Sequence, residues 1–117
     1  MEPKSKVWVV FDRGTKFGAG RAELLRLVEA EGSLRRAVVK MGMSYRAAWG
    51  YVRELEKAAG FAFLERAGKG RSSGTQLTKE ARTFLDEFDA FRAQVERDAV
   101  SAFRAKLGRS ARSRRRA

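Results

Sequence analysis

Between Gly32 and Leu55 the chain reads GSLRRAVVKMGMSYRAAWGYVREL, and its apolar positions fall into two short helical periods on either side of a glycine. Leu34, Ala37, Val38 and Met41 recur three or four apart after Ser33, a residue suited to cap a helix by accepting a backbone N–H. Gly42 closes that helix by taking the left-handed backbone a helix end needs, and Ser44 is placed to cap the next one. The turn is therefore only about three residues long, the length found in a helix-turn-helix. In the second helix Tyr45, Ala48, Trp49, Val52, Leu55 and Ala59 share a stripe facing a core. The opposite face carries Arg46, Ala47, Gly50, Arg53, Glu54 and Lys57. Ala47 and Gly50 are small enough to admit a groove edge close to the backbone, and Arg46 and Arg53 reach guanine edges or phosphates. That is the profile of a recognition helix. An ordinary helical hairpin with a solvated basic face is the alternative on spacing alone.

The pattern on either side extends this picture. Val7 to Phe11 is a run of β-branched and aromatic residues that predicts a strand apolar on both faces, followed by a glycine-containing loop to Gly20. Leu24, Leu25, Leu27 and Val28 predict a supporting helix over Arg21 to Glu31, stopped by Gly32. After Gly60, the stretches around Phe63-Leu64 and Thr75-Gln76-Leu77 flank a glycine-rich basic loop and predict a β-hairpin. In a winged helix-turn-helix this hairpin is the wing, with Lys69 and Arg71 on phosphates or in the minor groove. A plain solvated turn has the same composition. Gly68-Lys69-Gly70 is no phosphate loop, because Lys69 is followed by glycine and no helix opens there.

Thr78 caps a long helix whose apolar stripe runs through Ala81, Phe84, Leu85, Phe88, Phe91, Val95 and Ala99, extended by Phe103 and Leu107. At about 1.5 Å per residue it reaches roughly 40 Å, further than a domain of this size needs for its own core. Its distal half is expected to pack on a second copy, with Phe84, Phe88, Phe91 and Val95 at a homodimer interface; folding back over its own domain is the alternative. Gly108 to Ala117, GRSARSRRRA, reads as a disordered basic tail.

Composition narrows the chemistry. The 117 residues suit one compact core, and the net charge is +12; removing the five arginines after Gly108 leaves +7 on the folded part. A body this basic favours polyanions. The chain has no cysteine and no histidine, so disulfides, thiolate or imidazole zinc sites, cysteine nucleophiles and histidine acid–base catalysis are excluded together. No enzyme, metal or cofactor is expected. No apolar run approaches the roughly 20 residues of a membrane span, and MEPKSK lacks a signal-peptide core, so a cytoplasmic protein without a membrane partner is expected.

Gly32-Ser33-Leu34, Ala37, and above all Gly42-Met43-Ser44-Tyr45 with Ala48-Trp49, Val52 and Leu55, resemble the DNA-binding domain of ModE-type molybdate-responsive transcription regulators, a winged-helix group related to LysR regulators. Phe17 to Leu25 looks like that family's entry to its first helix, and Leu64-Glu65-Arg66, the glycine-rich loop and Leu77-Thr78 look like its wing and linker helix. The likeness covers residues 7 to 95. Two departures are local: Arg35 and Arg36 stand where the family often has small residues, and Arg71-Ser72-Ser73 where it tends towards glycine. A larger one is that full-length members carry a C-terminal oxyanion-binding module, of which this chain shows no counterpart, so no internal molybdenum sensor is expected.

The combined expectation is a mainly α protein with a small β-hairpin wing: a winged helix-turn-helix over residues 1–77, a linker and dimerisation helix over 78–107, and a basic tail over 108–117. It would bind double-stranded DNA as a sequence-specific homodimeric regulator. Ser44, Tyr45, Arg46, Ala47, Gly50 and Arg53 would face the major groove, Arg35 and Arg36 phosphates, and Lys69 and Arg71 would act from the wing. Trp49 is assigned to packing. The competing classes are an architectural or RNA-associated basic protein, and a DNA-binding subunit that depends on a separate ligand-sensing protein.

Overall fold

The computed structural model describes residues 1–69 and 74–116. These fall into two units, Trp8–Leu85 and the pair Met1–Val7 with Asp86–Ala117.

The first unit begins with an antiparallel hairpin of β1, Trp8–Val10, and β2, Lys16–Gly18, in the register Trp8 to Gly18 and Val10 to Lys16. The sequence reading expected one strand apolar on both faces, either covered on both sides or paired in a sheet against a second subunit, and then a loop; the loop instead contains a second strand. The chain turns within Phe11 to Thr15, where the Phe11 N–H donates to the Thr15 carbonyl at 2.8 Å. Pairing sorts the residues by face: Phe17 is fully buried, while Trp8 and Val10 point outwards. Three residues are too few to show the two-residue period that identifies a strand in sequence.

Four helices follow: α1, Ala19–Glu31; α2, Leu34–Met41; α3, Tyr45–Ala59; and, after the wing strands β3, Leu64–Arg66, and β4, Thr75–Leu77, the long α4, Lys79–Arg116. Leu24 and Val28 from α1, Leu34, Ala37 and Val38 from α2 and Ala48 from α3 form one buried cluster, against which Leu27, Met41, Met43, Trp49 and Leu64 pack. The second cluster is aromatic. Phe84, in the first turns of α4, meets Phe17 edge-on at 4.9 Å and Phe63 at 5.7 Å, with Phe11 and Phe61 beside it. The sequence reading placed Phe84 on a dimer interface, but its ring is engaged by four phenylalanines of its own domain. Phe11, Phe17, Phe61 and Phe63 all lie in loops or short strands, so nothing in local periodicity announces that they converge on one helical residue.

The wing is tied down at its base. β3 and β4 pair antiparallel from Leu64–Leu77 to Arg66–Thr75. Glu56 of α3 accepts the Phe63 N–H at 2.7 Å, and Thr78 donates its hydroxyl to the Ala62 carbonyl at 2.6 Å while accepting the Ala81 N–H as the cap of α4. On the other side the Thr75 N–H donates to the Gly32 carbonyl at 2.8 Å.

In the second unit, Pro3, Lys4 and Ser5 line a shallow groove with Glu96, Ala99 and Val100 of α4. The helix continues through Gly108 to Arg116, where the sequence reading expected it to stop and a disordered tail to begin. A single interior glycine costs a helix about 1 kcal/mol relative to alanine and does not end it, and the arginines and alanine that follow are good helix formers. Gly42 ends α2 for a different reason, which is that its neighbours form a complete closing motif.

Candidate nucleic-acid interface

The site is built on that closing motif. Gly42 has φ of 67°, its N–H donates to the Val39 carbonyl at 3.3 Å, and the Met43 N–H reaches back to the Val38 carbonyl at 3.1 Å. These are the two bonds of a Schellman turn, and Met43 completes it by packing on the cluster that contains Val38. The Ser44 hydroxyl then accepts the Ala47 N–H at 3.0 Å, starting α3 at once. Ser33 does the same for α2, accepting the Arg36 N–H at 3.2 Å. Both caps and the turn agree with the sequence reading, as do the two apolar stripes except at Tyr45.

Burial splits α3 as its periodicity predicts. Ala48, Val52 and Leu55 are inside, Trp49 is half-buried, and Tyr45, Arg46, Ala47, Gly50 and Arg53 are exposed. Tyr45, assigned by its spacing to both the core stripe and the outer face, is 36% exposed and so belongs to the outer surface. Ser44 is exposed as well, but its oxygen is engaged in capping. Arg35 and Arg36 are exposed on α2. Lys69 is exposed in the wing; Arg71, the other wing residue singled out in sequence, lies outside the described residues. Of the expected interface on α4, Phe88 is 4% exposed within the single chain, Val95 is half-buried and Phe91 is 48% exposed.

The electrostatics of α3 come from where its acids go. Glu54 turns to Arg21 of α1 at 3.6 Å, and Glu56 is occupied by the wing backbone. Both carboxylates of the helix thus have partners in the fold, while Arg46 and Arg53 stand on the open face. Two guanidinium groups there lie over rings: Arg35 over Tyr45 at 4.4 Å and Arg53 over Trp49 at 5.8 Å. A third, Arg21, lies over Tyr51 at 4.8 Å and also donates to the Lys16 carbonyl, which fixes the end of β2 to α1.

Gly50 is informative because nothing inside the protein requires it. A Cβ added there meets no atom within 4 Å, and the backbone is ordinary helix. A glycine in a helix interior costs about 0.5–1 kcal/mol relative to alanine, so no packing inside the described fold accounts for its smallness. Sequence reasoning missed Gly74, whose Cβ would lie 2.0 Å from the Gly32 carbonyl oxygen. That close approach lets the wing strand hydrogen-bond to the turn before α2, and a lone glycine before Thr75 carries no sign of it in the sequence. No group of residues suited to hold a metal ion occurs among the described residues, and no described helix is long and apolar enough to cross a membrane.

The comparisons with known proteins fall on the same elements. Residues 21–82, from α1 to the start of α4, match the family of bacterial regulatory helix-turn-helix proteins of the lysR family. Over 86 residues, 73% of this chain, the sequence is 33% identical to the molybdenum transport protein ModE of Azotobacter vinelandii. The chain spans about a third of that relative's length, 32%. The capped α2–α3 pair, its wing and these matches together place the chain in the lysR family of bacterial regulatory helix-turn-helix proteins, as a DNA-binding domain of the ModE/LysR type.

Proposed function

We propose that the domain reads a specific double-stranded DNA sequence as a homodimer, with α3 in the major groove. The observation that carries this is the outer face of α3, where Arg46 and Arg53 flank Ala47 and the sterically open Gly50 while Glu54 and Glu56 turn to other elements. Guanidinium forks read guanine O6 and N7, and a glycine lets the groove edge approach the helix backbone. In this reading Arg35 and Arg36 hold phosphates from α2, the helix that crosses the backbone in such motifs, and Lys69 acts from the wing. Phe91 and Leu107, both 48% exposed on α4, support pairing of two copies through the distal half of that helix.

Selection from a random duplex library tests the proposal. A reader enriches one motif and binds it at least about a thousandfold more tightly than random duplex, whereas a basic architectural or RNA-associated protein enriches none. On the selected duplex, Arg46→Ala and Arg53→Ala each lower affinity by about 1–3 kcal/mol and relax the preference at one base pair. An equal loss on random DNA makes them phosphate contacts. The relative's name ties it to molybdenum transport, so occupancy of the genome with and without molybdate is the first test of a regulating signal, including one delivered by a separate sensing protein.

A further inference from the structure

Four side chains on the outer surface of α2 and α3 form a continuous stack. The Arg35 guanidinium lies over the Tyr45 ring at 4.4 Å, Tyr45 meets Trp49 edge to face at 6.2 Å and 89°, and the Arg53 guanidinium lies 5.8 Å from the Trp49 centroid. Tyr45, Trp49 and Arg53 follow at four-residue intervals and so form one ridge along α3. Arg35 comes from the other helix, and the stack therefore spans the turn. Trp49 is its anchored member, half-buried against the core cluster. Among the described residues neither arginine is paired with a carboxylate; the acids of α3 are engaged by Arg21 and by the wing backbone.

We infer that Tyr45 and Trp49 are positioning residues for DNA readout, holding the guanidinium planes of Arg35 and Arg53 so that a phosphate contact from α2 and a major-groove contact from α3 are made together. The inference rests on the DNA-reading function proposed above. A guanidinium is weakly hydrated on its faces and carries its five N–H groups in its plane, so a ring stacked on one face orients the fork without using a donor. Stacking in the free protein also removes part of the arginine's rotamer freedom before DNA arrives, which lowers the ordering cost of binding. Because Tyr45 rests edge-on against a tryptophan fixed by the core, the orientation imposed on Arg35 is tied to the position of α3. Tyr45 then acts through Arg35 and not by touching a base.

The test is a double-mutant cycle in the full chain on the duplex that the wild type selects. Arg35→Gln and Tyr45→Leu each weaken binding, and the double variant is less impaired than the product of the two by about two- to fivefold, the size of an exposed cation–π pair. Tyr45→Phe keeps the ring and restores binding, which a hydroxyl contact to a base does not allow. Arg35→Gln lowers the slope of log affinity against log salt by about one, whereas Tyr45→Leu changes no charge and lowers affinity at a nearly unchanged slope. Trp49→Leu, which keeps an apolar side chain on the core but removes the ring, couples to Arg53→Gln in the same way. Both Arg35 and Tyr45 are exposed, and thermal melting confirms that the variants stay folded. Losses that simply multiply, or a Tyr45→Phe variant as weak as Tyr45→Leu, overturn the inference. A wild type that enriches no duplex overturns the DNA reading and this inference with it; one that enriches a duplex while the losses multiply overturns this inference alone.

Discussion

Helices α3 and α4 are both long and amphipathic, yet they differ in where their charges find partners, although Arg82 near the start of α4 pairs with Glu29 of α1 at 2.9 Å. α3 sends its two carboxylates to other elements, Glu54 to Arg21 and Glu56 to the backbone of the wing. α4 keeps many of its polar contacts on itself: Gln94 donates to Asp98 at 2.9 Å, Arg97 donates to Gln94 at 2.6 Å, and Arg92 lies 3.9 Å from Asp89. Contacts one turn apart contribute only tenths of a kcal/mol each and leave a surface of mixed charge. The acids of α3 also tie the helix to α1 and the wing while its arginines face open solvent, the arrangement a polyanion requires. So arginines and acids mixed along a helix leave an open basic face in α3 and a surface of mixed charge in α4, and the partners of the acids make the difference.

The sharpest break of this comparison lies within α4. Phe84 belongs to the aromatic core of the DNA-binding unit, whereas Phe91, two turns later, is 48% exposed. Phe84→Ala is expected to destabilise the domain by about 3 kcal/mol, within the range for removing a packed phenylalanine, seen as a lower melting temperature. Phe91→Ala is expected to change melting of the dilute protein far less and instead to raise the concentration at which two copies associate, measured by sedimentation. Equal melting losses would mean that the distal half of α4 serves its own domain's core.

Next in size is the seam between the wing and the helix-turn-helix. Gly74→Ala drives a methyl group onto the Gly32 carbonyl oxygen, a backbone atom that cannot rotate aside as a side chain would. The strand must shift away and loosen the bond from Thr75 to Gly32, at a cost of about 1–3 kcal/mol. Amide exchange checks this directly: protection falls at Thr75 and is retained at Met43, whose bond closes the α2–α3 turn. Unchanged exchange at Thr75 would show that the wing adjusts without leaving its anchor.

What sequence reading recovers from this fold follows the range of the interaction. Ser33, Gly42, Ser44 and Gly60 set their helix ends through bonds to residues within five positions, so the stretch from Gly32 to Gly60 contains all the partners they need. The apolar stripe of α3 was legible for the same reason. The place of Phe84 in the aromatic cluster was not legible because its partners, Phe11, Phe17, Phe61 and Phe63, are 21 to 73 residues away and sit in elements without a measurable period. Strand β2 was missed because it exists through pairing with β1. At the candidate site, the exposed residues of α3 were visible in the spacing, but the stacking of Arg35 on Tyr45 depends on how two helices cross and has no counterpart in the sequence pattern.

The smallest effect discriminates most finely between the two helices. Gly50 in α3 and Gly108 in α4 are both interior helical glycines with open space where a Cβ would be. Replacing either with alanine is expected to stabilise its helix by about 0.5–1 kcal/mol, since the methyl group clashes with nothing and the unfolded chain loses freedom. For the fold alone the two variants are equivalent. They separate on DNA: Gly50→Ala interposes a methyl group where the groove edge would approach α3 and weakens binding to the selected duplex, while Gly108→Ala leaves that affinity unchanged. Greater stability with lower affinity at Gly50 would identify the glycine as retained for contact at the expense of the helix. Equal affinities for both variants would move the close approach away from Gly50 and leave Arg46 and Arg53 to reach the bases from a greater distance.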